Sequence, residues 1–529
     1  MIELKGLRTA PECNSISELR IEAARKLCIS PENIQRVTIL RRSIDARKQG
    51  RIRLEYTLLL ELSKGEDAVL RREAGASIYR DVGLPTILPG NKPMKGRPVV
   101  VGMGPAGLFA AITLAKAGYS PIVLERGAPM EERIALVQHY FSGGILNPEA
   151  NVAFGEGGAG TFSDGKLTTR IKDPLCREVL EAFVSSGADP DILYQQKAHI
   201  GTDVLRRILP NLRKHLIASG GEVRFYSCAD KILTSGGRLI GLEISDGTTL
   251  DTRTAIWATG HSARDSYRML EQLIPLEAKS SAMGIRIEHL QSWLDACRYG
   301  KYAGNPVLGP ADYHLNLTIG DRGVYSFCMC PGGVVVNASH EAESICVNGM
   351  SLRARDGDQC NAAIVVQVSP RDYGDDGNSA LSGLVYQERM ERVAFVQGEG
   401  LPPAQRLEDF LAGRKSHSFG SIKPTVRPGA TPTNVYSLLP PEIGESIKAS
   451  IPFMEQKLPG FAFPDAVITG VETRTSSPVR IPRGANGCAE GMEGLYPVGE
   501  GAGYAGGIMS SAVDGIRAAR QLISAYQRP

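Results

Sequence analysis

The spacing of apolar and polar residues changes several times along the chain. Ser15–Leu27, after the turn-prone Cys13-Asn14-Ser15, predicts a helix. Gln35–Arg42 and Arg51–Leu62 are rich in β-branched and aromatic residues and predict strands joined by the polar turn Ser43–Gly50. Residues 1–90 therefore predict a separate small α+β domain. The segment Leu84–Pro98 carries Pro85, Pro89, Gly90, Pro93, Gly96 and Pro98, a density that predicts a linker.

From Val99 the pattern is a strand, a glycine turn, an apolar helix and a second strand, which together form a βαβ unit. Thr202–Ala218 predicts a helix and Glu222–Ile232 a strand. Arg238–Ser245 and Thr249–Ala258 predict a hairpin around Asp246-Gly247. Residues 281–460 mix strand signals with glycines and prolines and predict a β-rich lobe. Gly494–Tyr526 returns to strand, glycine-rich turn and helix. The expectation is a first part of a nucleotide-binding domain at 98–280, an inserted lobe at 281–460 and a return segment at 461–529.

Composition fits a globular chain, with 42% hydrophobic and 22% charged residues. Residues 1–97 hold 19 Lys and Arg against 12 Asp and Glu, so the first domain is basic although the whole chain has a net charge of only +3. The ten cysteines include no C-x-x-C pair and no zinc-spaced cluster, so no metal site is expected. The longest apolar run, Pro98–Ala117, is broken by glycines and a proline, and MIELKGLRTA lacks an apolar leader core. A cytoplasmic setting without membrane contact is the expectation. Glycine is in excess, at 59 of 529 residues, and it concentrates in 98–165 (12 glycines) and 484–515 (10 glycines).

The first of these windows contains a dinucleotide fingerprint. Gly102 allows a tight turn, Gly104 lets a pyrophosphate approach the backbone across Pro105 and Ala106, and Gly107 with Ala111 lets the helix pack against the strands. The helix N-terminus offers free N–H groups to phosphate. Glu125, followed by Arg126, ends the second strand and is placed to accept ribose hydroxyls. Two distant segments turn this reading from any dinucleotide toward FAD. Ala258-Thr259-Gly260 ends the apolar strand after the hairpin. Gly499-Glu500-Gly501 follows a strand and leads through Gly506 and Gly507 to a helix beginning near Ile508. There an acid is expected on the ribitol chain, with the helix dipole at the flavin pyrimidine edge. Gly157, Gly158, Thr161 and Lys166, in the glycine-rich loop 155–167, are further expected cofactor contacts.

With these segments in place, the chain resembles a bacterial family of FAD-dependent dehydrogenases, also called NAD/FAD-utilising dehydrogenases. The resemblance runs through residues 42–48, 155–167, 258–265, 327–333, 348–351 and 472–480. It implies FAD, held without a covalent bond, and redox chemistry on an organic small molecule. The fold expected is α/β: a Rossmann-like, glutathione-reductase-like FAD-binding domain with an inserted β-rich α+β substrate lobe and the small N-terminal α+β domain. Only one complete fingerprint is present, so NAD(P)H is expected only as a transient reductant.

Three residues are candidates for the chemistry itself. His261 follows the Ala-Thr-Gly turn and suits proton transfer. Arg474 and Arg480 flank a Thr-Ser-Ser-Pro stretch and suit a substrate carboxylate, with a buried ion pair as the alternative. Cys328 and Cys330 read either as a redox pair or as packing side chains. The cluster Arg41, Arg42, Arg47, Lys48, Arg51 and Arg53 reads as an interdomain or solvated face, with nucleic acid as the less favoured partner. The leading expectation is hydride transfer between flavin and substrate. The rivals are a flavin monooxygenase and an RNA-modifying or RNA-binding flavoprotein.

Overall fold

Ser15 caps the first helix, Ile16–Leu27. Its hydroxyl accepts the Glu18 N–H (3.3 Å) while the Glu18 carboxylate accepts the Ser15 N–H (2.9 Å), which satisfies two otherwise unpaired donors. The helix buries Leu19, Ala23, Ala24 and Leu27 in one core with an antiparallel sheet ordered Ile34–Asp45, Arg53–Leu62, Ile2–Thr9, Ala76–Ile78. In Arg53–Leu62, residues Leu54, Tyr56, Leu58 and Leu60 are buried in strict alternation, the period of a strand with one face on a core. The coordinates, a computed structural model, describe residues 1–47, 50–80, 83–162, 165–374 and 379–529. Lys48 of the basic cluster and Ser163 and Asp164 of the glycine loop lie outside the described residues.

This N-terminal unit docks on the rest of the chain. The Arg42 N–H donates to the Tyr194 carbonyl (2.7 Å), and the Arg42 carbonyl accepts the Gln196 N–H (2.9 Å). The Arg42 guanidinium also lies 5.7 Å from the centre of the Tyr194 ring. The linker is tied down as well, since the Gly90 N–H donates to the carbonyls of Ile523 and Tyr526 at the end of the last helix.

A five-stranded parallel sheet forms the next unit, ordered Leu495–Pro497, Ala255–Trp257, Val99–Val101, Ile122–Leu124, Glu222–Arg224. The first four strands are wholly buried, which explains their unbroken apolar sequences. Two expected strands are shorter than their apolar runs suggest. Glu222–Ile232 divides at Tyr226, whose φ of 53° is left-handed, and its second half joins a separate antiparallel sheet as Ala229–Ser235. Thr249–Ala258 likewise divides: Thr249–Asp251 completes the hairpin with Arg238–Ile244, and Ala255–Trp257 crosses into the parallel sheet.

The β-rich lobe is built on a seven-stranded sheet ordered Asn316–Ile319, Arg322–Cys330, Gln359–Val368, Ser281–Leu290, Val467–Glu472, Pro403–Arg406, Thr431–Pro432. Val467–Glu472 pairs antiparallel with Ser281–Leu290. The chain therefore leaves the lobe after Glu472 rather than at residue 461. The boundary is hidden in sequence because a buried strand looks alike in either sheet.

Candidate functional site

The parallel sheet sets the position of the site. Val99–Val101, Ala255–Trp257 and Leu495–Pro497 are adjacent and run the same way, so the three turns that follow them meet at one sheet edge. Gly102, Gly104, Pro105 and Ala106 from the first turn, Ala258, Thr259 and Gly260 from the second, and Gly499, Glu500, Gly506, Gly507 and Ile508 from the third line a single cavity of about 1370 Å³. The helices Pro105–Lys116 and Ile508–Ala525 begin at its wall. Their N-termini present unpaired N–H groups and a positive dipole end.

Glycine permits this closeness at two points. A Cβ on Gly107 would fall 1.9 Å from the Gly102 carbonyl oxygen, so any side chain there would push the helix off the strand. A Cβ on Gly158 (φ 62°) would fall 3.0 Å from the Gly104 Cα, so the glycine-rich loop lies directly against the fingerprint turn. The Gly157 N–H donates to the Met103 carbonyl (2.9 Å) and fixes that contact. The Lys166 ammonium donates to the Met329 carbonyl and ties the loop to the lobe.

Glu125 is buried at the cavity wall. One carboxylate oxygen accepts the Met103 N–H (2.8 Å), and the other accepts those of Gly127 (2.9 Å) and Gly155 (3.0 Å). Its side chain thus joins the fingerprint turn, the second strand end and the glycine-rich loop. Arg126 also lines the cavity, paired with Glu149 (2.7 Å) and Asp265 (2.9 Å) and stacked 4.4 Å from the Phe154 ring centre.

His261 and Glu500 both face the cavity, with Nδ1 and Oε1 3.3 Å apart. Arg474 also reaches the wall, but its guanidinium is occupied. Nε and Nη2 donate to the two oxygens of Glu391 (2.9 and 2.6 Å), and Nη1 contacts His340. Glu391 further accepts from Arg264 (3.0 Å) and from the Thr473 hydroxyl (2.6 Å). Burial raises the Glu391 carboxyl, yet Arg474 and Arg264 outweigh it and hold the group at about 2. Of the two readings of Arg474, substrate clamp and buried ion pair, the guanidinium forms the ion pair, so its candidate catalytic role is corrected to a structural one. Arg480 is exposed, outside the cavity lining, 5.4 Å from the ring centre of Tyr504 at the cavity wall. Gly107, Gly157 and Thr161 also do not line the cavity. Gly107 is a packing position, and a Cβ on Gly157 would meet the Thr161 hydroxyl at 2.3 Å, so both shape the loop from behind.

The opposite wall comes from the lobe, and of its residues only Cys328 was singled out from the sequence. Strand Arg322–Cys330 supplies Tyr325, Phe327 and Cys328, and Glu472 closes the wall from the end of Val467–Glu472, with two strands of the sheet between them. Beneath them Arg286, fully buried, donates to both oxygens of Glu472 (2.6 and 3.1 Å). Of these residues the sequence pointed to Cys328 by its spacing to Cys330, Phe327 and Glu472 fall in segments shared with the resembled family, and Tyr325 and Arg286 carried no signal.

These features suit FAD. The glycine contact at Gly104 and Gly158 leaves no side chain in the way of a pyrophosphate, two helix N-termini face the cavity, and the space exceeds the ~300–1,000 Å³ of a usual single-ligand pocket.

Comparison with known proteins agrees. Residues 97–151 match an FAD-binding domain, residues 280–475 match the C-terminal domain-like region of FAD-dependent proteins, and residues 1–61 match a domain of unknown function. Among solved structures, glycine oxidase from Bacillus cereus (11% identity, TM-score 0.32, covering 82% of this chain and 99% of that one) and an FAD-bound halogenase variant (12%, 0.36, 82% and 71%) are distant matches. Among the described residues no helix is long and apolar enough to cross a membrane. A Clostridium beijerinckii protein described as uncharacterised is 43% identical over 523 residues, covering 98% of this chain and 97% of its own length. The chain belongs with that protein to the family of FAD-dependent proteins that its motifs resemble.

Proposed function

We infer that the chain is an FAD-dependent oxidoreductase that moves a hydride between non-covalently bound flavin and a small organic substrate, with NAD(P)H as a transient reductant. One observation carries the reading: the three FAD-type turns and the lobe's sheet enclose the same cavity of about 1370 Å³. FAD supplies the hydride-transferring ring. Gly104, Gly158 and the Pro105 helix end suit the pyrophosphate, and Glu500 and the Ile508 helix end suit the ribitol and the pyrimidine edge. The lobe wall of Tyr325, Phe327 and Glu472 excludes water and positions the substrate. His261, beside Glu500, is placed to take or give a proton at its ring nitrogens.

The N-terminal domain reads as a docking unit rather than a nucleic-acid platform, because Arg42 is already engaged with Tyr194 and Gln196. Gln196 itself lines the cavity, so this contact buttresses the site.

The test is anaerobic mixing of FAD-loaded chain with NADH or NADPH. Loss of the visible flavin absorbance, and its recovery on adding a quinone acceptor, is the expected result. A bound flavin that exchanges electrons with no nicotinamide, dithionite or organic acceptor would reduce the cofactor to a structural role and overturn the reading.

A further inference from the structure

A β-bulge interrupts strand Arg322–Cys330 beside the cavity. Phe327 pairs with Ala363 and Cys330 with Asn361, so one strand carries an extra residue between the two pairs. Cys328, inside the bulge, has a left-handed φ of 44°, which residues other than glycine seldom adopt. Bulges beside active sites commonly re-aim a side chain. Here Cys328 lines the cavity, while Cys330 is fully buried.

One buried cation touches the Cys328 backbone and the Cys330 sulfur. Arg286 Nη1 donates to the Cys328 carbonyl (2.9 Å) and lies 4.0 Å from the Cys330 sulfur, which itself sits 3.2 Å from that carbonyl. Burial opposes the charge on Arg286, but Glu472 and both thiols favour it. A neighbouring guanidinium stabilises a thiolate, the reactive form of cysteine.

The spacing of the two cysteines also bears on bond formation. In a straight strand, residues two apart are separated by roughly 6.6–6.8 Å. That is the upper end of the ~4.4–6.8 Å Cα separation that a disulfide accepts. The Cys330 sulfur already lies 3.2 Å from the Cys328 carbonyl oxygen, so it is turned toward Cys328. In this structure both are thiols.

We propose that Cys328 and Cys330 form a dithiol/disulfide redox centre in the cavity, exchanging an electron pair with the flavin. The proposal rests on the FAD reading above and adds a second redox group to it. On oxidation each thiol loses a proton, one S–S bond forms, and two electrons pass to oxidised flavin. In reverse, reduced flavin supplies two electrons, the S–S bond breaks and two protons return to the sulfurs. Cys328 is the sulfur presented to the cavity, and Cys330 is the resolving partner held beside Arg286.

The test is anaerobic dithionite titration of the full FAD-loaded chain after ferricyanide oxidation and removal of the oxidant. Wild type should take up four electrons per flavin, and Cys328→Ser and Cys330→Ser only two each, because a disulfide is a two-electron couple. Fragmentation of the oxidised wild-type peptide should place a loss of two hydrogens between Cys328 and Cys330. Two electrons per flavin in FAD-loaded wild type, with no such mass loss, would overturn the proposal and leave the FAD reading intact. A chain that binds no FAD would overturn the FAD reading, and the peptide mass would then decide the cysteine pair alone.

Discussion

The imidazole Nδ1 of His261 lies 3.3 Å from the carboxylate of Glu500. The pair links the turn after Ala255–Trp257 to the turn after Leu495–Pro497, so residues 239 positions apart in sequence act on one cavity. Their roles should separate by measurement. Glu500→Ala should raise the FAD dissociation constant about tenfold or more, the loss expected for a hydrogen bond to a charged group. His261→Gln should keep FAD within about threefold but slow flavin reduction by roughly 10²–10⁴, the range for loss of a general acid or base. Fluorescence titration and anaerobic stopped flow read the two effects. Equal losses of FAD affinity in both variants would show that His261 is a binding residue.

Glu125 has a heavier structural duty than its ribose role required. With three backbone N–H groups on its carboxylate, Glu125→Ala leaves buried donors unpaired at Met103, Gly127 and Gly155. Each unpaired donor costs about 1–3 kcal/mol. The variant should lose FAD and also unfold at a markedly lower temperature without FAD present. Calorimetry of the FAD-free chains checks this. An unchanged midpoint would return Glu125 to a purely ligand-binding role.

Arg474→Ala should behave as the removal of half a buried ion pair, costing about 3–5 kcal/mol of stability. Acid unfolding adds a second readout. Glu391 is held at about 2, below its ordinary value of 4.5, so its ionisation stabilises the fold above pH 4.5 and that contribution disappears as pH falls toward 2. Denaturant titrations across that window should show a shallower acid loss in the variant. Full stability together with a weakened affinity for carboxylate ligands would instead restore the clamp.

Glu288 gives the opposite pH dependence. It is fully buried, accepts from the Thr425 N–H, and burial raises its carboxyl to about 7 against the pull of Thr425 and Arg286. A raised carboxyl stabilises the fold fully below its ordinary 4.5 and loses that contribution as pH rises through about 7. Glu288→Gln should match wild type at pH 4 and exceed it by about 3 kcal/mol above pH 8, at about 1.4 kcal/mol per unit. Parallel pH profiles for the two proteins would contradict the raised value.

What the sequence made readable follows from local physics. The fingerprint turn, the capped helix after Ser15 and the helix Thr202–Ala218 are set by neighbouring residues, and all three are where spacing put them. The meeting of the turns after residues 101, 257 and 497 was also legible, because each strand end carries its own glycine signature. The lobe wall was legible only at Cys328. Tyr325, Glu472 and Arg286 come from three strands whose register depends on long-range pairing, and no spacing within one strand reports it. The end of the lobe was missed for the same reason. Arg474 stayed open between a substrate clamp and a buried ion pair because a guanidinium in sequence does not reveal its carboxylate, here Glu391 at 83 residues' distance.

The central claim is that this cavity holds one FAD. The direct measurement is the equilibrium uptake of FAD by purified full-length chain, with a crystal structure of the loaded protein. The expected result is one FAD per chain, its pyrophosphate between Gly104 and Gly158 and its ring between Glu500 and the Cys328 wall. A chain that takes up no FAD, or a flavin bound outside this cavity, would contradict it.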